Sequence, residues 1–152
     1  MAEESLKVRI RQDMNAARRQ GEKERARLFS TILSDIRNRE IEKGHELDDQ
    51  EVIEVLARGI KMRNEAAEQM ASRPELAERE RREVETLKGY MPRQLSTEEI
   101  REKVVSAIEA GAADLGAVMG QVMPQLKGQA DGKEVNRIAR EELAARAGGA
   151  GA

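Results

Sequence analysis

The stretch that decides the fold is residues 27–44, RLFSTILSDIRNREIEKG. Its apolar residues recur at intervals of three and four positions, a spacing that places them on one side of an α-helix. These residues are Leu28, Phe29, Ile32, Leu33 and Ile36. Ile41 lies near the end of the stretch, and Gly44 can end a helix because glycine readily adopts a left-handed conformation. We therefore predict an amphipathic helix over about residues 22–43.

Segments with the same spacing lie on both sides of this helix, separated by glycines and prolines. On the N-terminal side, a helix is predicted over about residues 4–20, ended by Gly21. On the C-terminal side, Asp48 and Glu51 have the spacing of a capping box for a helix that continues to about Met70. Pro74 suits the first turn of a fourth helix, which Pro92 closes.

Shorter helices are predicted after Pro92. Residues 92–95 are interpreted as a hinge, and Ser96 with Glu99 forms a second capping box. A short helix is expected over about residues 115–123 and a last one over about residues 132–147. The sequence thus predicts an all-α, multihelical protein of two lobes, with four longer helices in residues 1–92 and three short helices in residues 93–147. Residues 148–152 are expected to fray.

Composition and charge exclude several classes of protein. The 152 residues contain no cysteine, which excludes disulfides and thiolate zinc sites. The 27 basic and 29 acidic side chains give a net charge of −2, which excludes a chain that is basic throughout. Because the sequence has no apolar run of membrane-spanning length and no apolar leader, we expect a cytoplasmic protein without a membrane partner.

The charge is distributed unevenly along the chain. Residues 1–39 carry 10 basic and 6 acidic side chains, whereas residues 40–54 carry 1 and 7. Such a basic segment is either a solvated helix face or a surface for a polyanion or an acidic partner, and the sequence leaves both open. The secondary basic cluster that we single out consists of Arg18, Arg19, Lys23, Arg25 and Arg27.

No arrangement of residues typical of catalysis is found. His45 is the only histidine, and its neighbours Glu46 and Asp48 are typical of a solvated turn. Glu83, like Glu80, lies near the apolar stripe of the fourth helix, where a pair with arginine is a better interpretation than an acid or base role. A nucleophile with a nearby base and a nucleotide-binding motif are also missing. We therefore expect no catalytic residue, no metal and no cofactor.

The loop KGQADGK, residues 127–133, is a candidate phosphate-binding element. Two lysines flank glycines that let the backbone approach a ligand, and free N–H groups at the start of the following helix favour anions. The alternative is a loop with solvated lysines. The candidate phosphate-contact residues are Lys127, Gly128, Lys133, Asn136, Arg137 and Arg140. Upstream, Gly116 and Gly120 are interpreted as a site of close helix packing.

Four segments resemble the GatB/YqeY family. Residues 116–143, GAVMGQVMPQLKGQADGKEVNRIAREEL, are similar to its terminal motif, and YMPRQLSTEEI (90–100), LARGIKMRNEAAEQM (56–70) and residues 27–44 are similar to further segments. The resemblance covers essentially the whole chain and so points to the free-standing YqeY-like proteins. It implies an all-helical protein with a longer N-terminal lobe and a small three-helix C-terminal lobe.

The resemblance also implies a function. In the tRNA-dependent amidotransferase, the tail of the GatB subunit that resembles this chain helps to hold tRNA, and the chemistry resides in other domains. We therefore expect a non-catalytic accessory protein that binds tRNA or associates with amidotransferase subunits. A protein-interaction module with no role in RNA is the alternative, since aromatic residues for base stacking are scarce. A carbon–nitrogen ligase activity with glutamine as amido-nitrogen donor is implied by the family name alone.

Overall fold

The computed structural model describes residues 4–126 and 128–150, and these residues form helices joined by short turns. No strand occurs within these two ranges, so the prediction of an all-α fold is confirmed. The elements are α1 (Leu6–Arg19), α2 (Lys23–Lys43), α3 (Asp49–Gln69), α4 (Pro74–Lys88), α5 (Thr97–Glu109), α6 (Leu115–Val122), a 3₁₀ helix (Met123–Leu126) and α7 (Gly132–Ala150).

The helix ends follow the capping signals of the sequence. Both predicted capping boxes form: the Asp48 and Ser96 side chains accept the backbone N–H three residues on, and Glu51 and Glu99 accept the N–H of the capping residue. Gly44 ends α2 with a φ of 78°, in the left-handed region that favours glycine. Local side-chain chemistry therefore explains where these helices begin and end.

The described residues divide into two compact units at the boundary between Met91 and Pro92. In the first unit, α1 packs mainly on α2, and α3 packs mainly on α4. Tyr90 belongs to this unit because its ring meets Phe29 edge to face, with centroids 5.9 Å apart, and its hydroxyl donates to Asp13. Its fully buried side chains include Ile10, Phe29, Ile32, Ile36, Leu56 and Leu87. α4 ends at Lys88, earlier than predicted, because residues 89–91 turn and place Tyr90 in this core.

The second unit has a core of its own, formed by α5, α6, the 3₁₀ helix and α7. Its fully buried side chains include Ile100, Val104, Val118, Leu126 and Ile138. The predicted hinge is attached to this unit: the Leu95 N–H donates to the Gln129 carbonyl at 2.8 Å, and Gln94 Nε2 donates to the Gly128 carbonyl at 2.7 Å. Gln94 and Leu95 are therefore tied to the loop that precedes α7.

The last helix is longer than predicted. α7 continues to Ala150, so the expected end at Ala147 and the fraying of residues 148–150 are not observed. Alanine, the best helix former, recurs over the last turns, and a glycine inside a helix costs only about 1 kcal/mol relative to alanine. The expected fraying of Gly151 and Ala152 lies outside the described residues. Within the described ranges, no helix combines the length and apolar character that a membrane span requires.

The Arg93–Glu99 pair leads us to expect that the stability of the second unit depends on pH in the acid range. Arg93 donates two hydrogen bonds to the Glu99 carboxylate, at 3.0 and 2.8 Å, and this pairing lowers the pKa of Glu99 to about 2. Because an unfolded glutamate titrates near about 4.3, the stability due to the pair is present above that pH and is lost as the pH falls towards 2.

We expect Glu99→Gln, which retains a residue suited to the capping box, to weaken the acid dependence of unfolding of the second unit. Acid titrations followed by backbone NMR on the wild type and the variant measure this dependence. Identical profiles for the two proteins contradict the assignment.

Candidate nucleic-acid interface

Four of the residues proposed to bind RNA lie on one side of α7. Lys133, Asn136, Arg137 and Arg140 follow the three- and four-residue spacing of a helix side, and we call this set the α7 face. The three cations are exposed, and Asn136 is half-buried. Gly128 lies in the preceding turn with a φ of 73°. Lys127 lies outside the described residues.

The first turn of α7 already carries a negative charge. Asp131 Oδ1 accepts the Lys133 N–H at 3.1 Å, and the Asp131 carbonyl accepts the Val135 N–H at 3.1 Å. The prediction that the N–H groups at this helix start are free for an anion is therefore wrong for Lys133. Asp131 caps the helix, and its carboxylate takes the position that a phosphate would need.

The cations of the α7 face differ in how fully they are paired. Arg137 Nη1 lies 2.7 Å from Glu141 Oε1, and Arg137 Nη2 lies 3.8 Å from Glu134 Oε1. Arg140 Nε donates instead to Asn136 Oδ1 at 2.8 Å. Neither Arg140 nor Lys133 makes an ion pair with another residue that the structure describes. These two cations are thus the ones available to a phosphate.

The carboxylates that pair with Arg137 also hold α5 against α7. Arg101 of α5 donates to Glu142 at 2.8 Å and to Glu141 at 2.9 Å, and these hydrogen bonds lower the pKa of both carboxyls. Thr97 Oγ1 donates to Glu134 Oε1 at 2.8 Å. Sequence reasoning missed this network, although the spacing of Arg137 from Glu134 and Glu141, three and four residues, is the signal for such pairs.

The two glycines of α6 do not form a packing site. A Cβ built on Gly120 meets no atom within 4 Å, and one built on Gly116 meets only Asp114 Oδ1, at 3.5 Å. The prediction of close helix packing is therefore wrong. Val118 and Val122 turn towards the core, and residues two positions away lie on the opposite, exposed side of the helix.

Three of the five residues of the secondary basic cluster line one groove, and the other two do not. Arg18, Lys23 and Arg27 line a shallow groove beside the turn between α1 and α2, together with Gly21, Ala26, Ser30 and Thr31; we call it the α1–α2 groove. Arg25 turns away: its Cζ lies 5.2 Å from the centroid of the Phe29 ring, and its Nε lies 3.7 Å from Glu22. Arg19 is exposed at the end of α1.

Glu83 and Glu51 have structural partners, whereas the predicted pair of Glu80 with an arginine is not observed among the described residues. Arg63 Nε donates to Glu83 Oε2 at 2.9 Å, which confirms the predicted pair with arginine. Glu51, near His45, bonds to Lys43 Nζ at 2.6 Å and caps α3. Over residues 4–126 and 128–150, no group of three or more acidic or histidine side chains is arranged to hold a metal ion.

The sequence matches the family model described as Yqey-like protein over residues 7–143. Both the α7 face and the α1–α2 groove lie within the matched residues. A search of curated proteins finds no match to this chain.

Proposed function

This chain belongs to the Yqey-like protein family, and from that premise we propose that it is a non-catalytic accessory protein that binds folded tRNA. The proposal is supported by the similarity of residues 116–143 to the tail that helps to hold tRNA in the amidotransferase. The observation that carries it is the α7 face, where Lys133 and Arg140 are exposed and have no ionic partner among the described residues.

Recognition of the RNA has to rely on its backbone and its shape. The chain has one phenylalanine, one tyrosine and no tryptophan. Phe29 is fully buried and Tyr90 is 7% exposed, so neither ring offers a face on which a base could stack. Lysine and arginine contacts to phosphates supply affinity without reading sequence, and folded RNA can be distinguished by shape.

The isolated protein is expected neither to release ammonia from glutamine nor to amidate glutamyl-tRNA. Glu83 is held by Arg63, and Glu51 is held by Lys43 and its capping bonds, so neither carboxylate is free to act as an acid or a base. An ammonia-release assay and a mass measurement of the aminoacyl-tRNA product test this expectation. Turnover by the purified protein that disappears in a Glu80→Ala or Glu83→Ala variant contradicts it.

The function is tested by capture of the tagged protein from native lysate, with the bound RNA sequenced and the bound proteins identified by mass spectrometry. We expect enrichment of tRNA over other RNA. A parallel sample treated with nuclease serves as the control. Protein partners that persist after nuclease treatment, with no enrichment of tRNA, overturn the proposal.

A protein-interaction module is the second candidate function. It is favoured by two large apolar side chains on the surface of the first unit, since Ile41 is 70% exposed and Met62 is 59% exposed. Isolated exposed apolar residues are common on protein surfaces, so this observation carries less weight than the cations. A partner of this kind would include an amidotransferase subunit, and the nuclease-treated sample would retain it.

A further inference from the structure

We propose that the α1–α2 groove binds the phosphate backbone of the RNA and supplies more of the affinity than the α7 face does. This inference rests on the proposed function, because it assigns the principal phosphate contacts of the same RNA to a second surface. The groove belongs to the first unit, whereas residues 116–143, which resemble the tRNA-holding tail, belong to the second unit.

The residues that line the groove carry a net positive charge, with no acidic residue among them. Three of its seven residues, Arg18, Lys23 and Arg27, are cations, and none of the seven is acidic. None of these three cations forms an ion pair within the part of the chain that the structure describes. Three cations converging on one concave surface, with no carboxylate among them, attract a polyanion more strongly than cations scattered over mixed surface do.

The carboxylates nearest in sequence are engaged elsewhere. Glu22 pairs with Arg25 at 3.7 Å. Glu24 lies 3.4 Å from Arg79 and 3.5 Å from Arg82, both on α4. Lys23 lies at the border of the groove, because it also lines a second pocket together with Glu22, Glu24 and Glu83, whereas Arg18 and Arg27 line the groove alone.

The local backbone also suits an anion. Gly21 makes the turn with a φ of 75°, and Glu22 precedes α2 without a side-chain capping bond. The Lys23 N–H donates to the Gly21 carbonyl at 3.1 Å, but no carboxylate caps the start of this 21-residue helix, in contrast to α7. On the next turn, the Ser30 hydroxyl can donate to a phosphate oxygen.

By the same criteria, unpaired cations and an uncapped helix start, the α7 face is less suited to bind phosphate. Asp131 caps its helix start, and Arg137 shares its charge with Glu134 and Glu141. A phosphate approaching Lys133 or Arg140 also approaches these carboxylates. In the groove, Arg18 and Arg27 have no carboxylate among the lining residues beside them, and we therefore place the larger share of the phosphate contacts there.

The test compares three pairs of charge reversals in the full chain, measured by filter binding to folded tRNA at 50 mM salt. Arg18→Glu with Arg27→Glu alters the groove, and Lys133→Glu with Arg140→Glu alters the α7 face. Arg58→Glu with Lys61→Glu changes exposed cations of α3 by the same amount and is the matched control. Circular dichroism verifies that each variant is helical.

We expect the groove variant to bind at least about 10-fold more weakly than the wild type, and the control to change by less than about 3-fold. The loss of affinity in the α7 variant should lie between the losses in the groove variant and in the control. Arg18→Lys with Arg27→Lys, which keeps the charge, should bind within about 3-fold of the wild type and so exclude a loss of folding as the cause.

Two results overturn the inference, and they are distinguishable. If the wild type binds tRNA and the groove variant loses no more affinity than the α3 control or the α7 variant, the groove is not the principal site and the proposed function stands. If the wild type binds no tRNA at 50 mM salt, the proposed function falls and the groove assignment falls with it.

Discussion

Phe29→Ala is expected to destabilise the first unit by about 3–5 kcal/mol. The ring is fully buried in the core of that unit, where it meets Tyr90 edge to face and lies under the Arg25 guanidinium. A unit of about 90 residues is typically stable by roughly 5–13 kcal/mol, so the loss removes a large share of its stability.

Because each unit has its own core, denaturation of Phe29→Ala should show the first unit unfolding at lower urea than in the wild type. The signals of the second unit in backbone NMR should persist to their original midpoint. Ile138→Ala, a truncation in the other core, is the reciprocal control and should destabilise the second unit by about 2–5 kcal/mol. If all signals of the protein instead unfold in a single transition, and each variant shifts that whole transition, the two units do not have independent cores.

Gly59→Leu is expected to disrupt the packing of α3. Gly59 is buried in the middle of α3, and a Cβ built there lies 3.1 Å from Arg63 Nη1, 3.4 Å from Ile32 Cδ1 and 3.6 Å from Leu87 Cδ1. A leucine therefore has to push Ile32 and Leu87 out of the core, and we expect a loss of about 1–3 kcal/mol or more.

Gly59→Ala is the matched control. Its single methyl group meets mainly Arg63 Nη1, which has to shift by only a few tenths of an ångström, and alanine gains about 1 kcal/mol in helix propensity over glycine. We expect thermal unfolding of Gly59→Ala to stay near that of the wild type while Gly59→Leu unfolds several degrees lower. If both variants unfold at the same temperature as the wild type, Ile32 and Leu87 do not pack closely against Gly59.

The helices could be predicted because their signals are local. The apolar spacing from Leu28 to Ile36, the capping boxes at Asp48 and Ser96, and Gly44 each act within a few residues, and the structure confirms them. The position of Tyr90 could not be derived in this way. It depends on Phe29 and Asp13, which are distant in sequence, and it shortened α4 relative to the prediction.

The α7 face could be predicted as a set of residues on one helix side, but its electrostatics could not be read from cations alone. Asp131 with Glu134 has the same spacing as Asp48 with Glu51, and it signals a capped helix start rather than an open one. The charge of the groove could not be predicted from the sequence, because Glu24 on α2 pairs with Arg79 and Arg82 on α4, which are more than 50 residues away in the chain.

If this chain binds folded RNA through phosphate contacts, as proposed, its affinity for tRNA has to fall steeply as salt is added. Each neutralised phosphate contributes roughly −0.7 to −0.9 to the slope of log affinity against log salt, so three contacts in the groove and one on the α7 face give a slope of about −3. Raising the salt from 50 to 200 mM should then weaken binding of the nuclease-treated wild type to tRNA by about 50- to 150-fold. The absence of binding at 50 mM salt, or an affinity that does not change with salt, would contradict the claim.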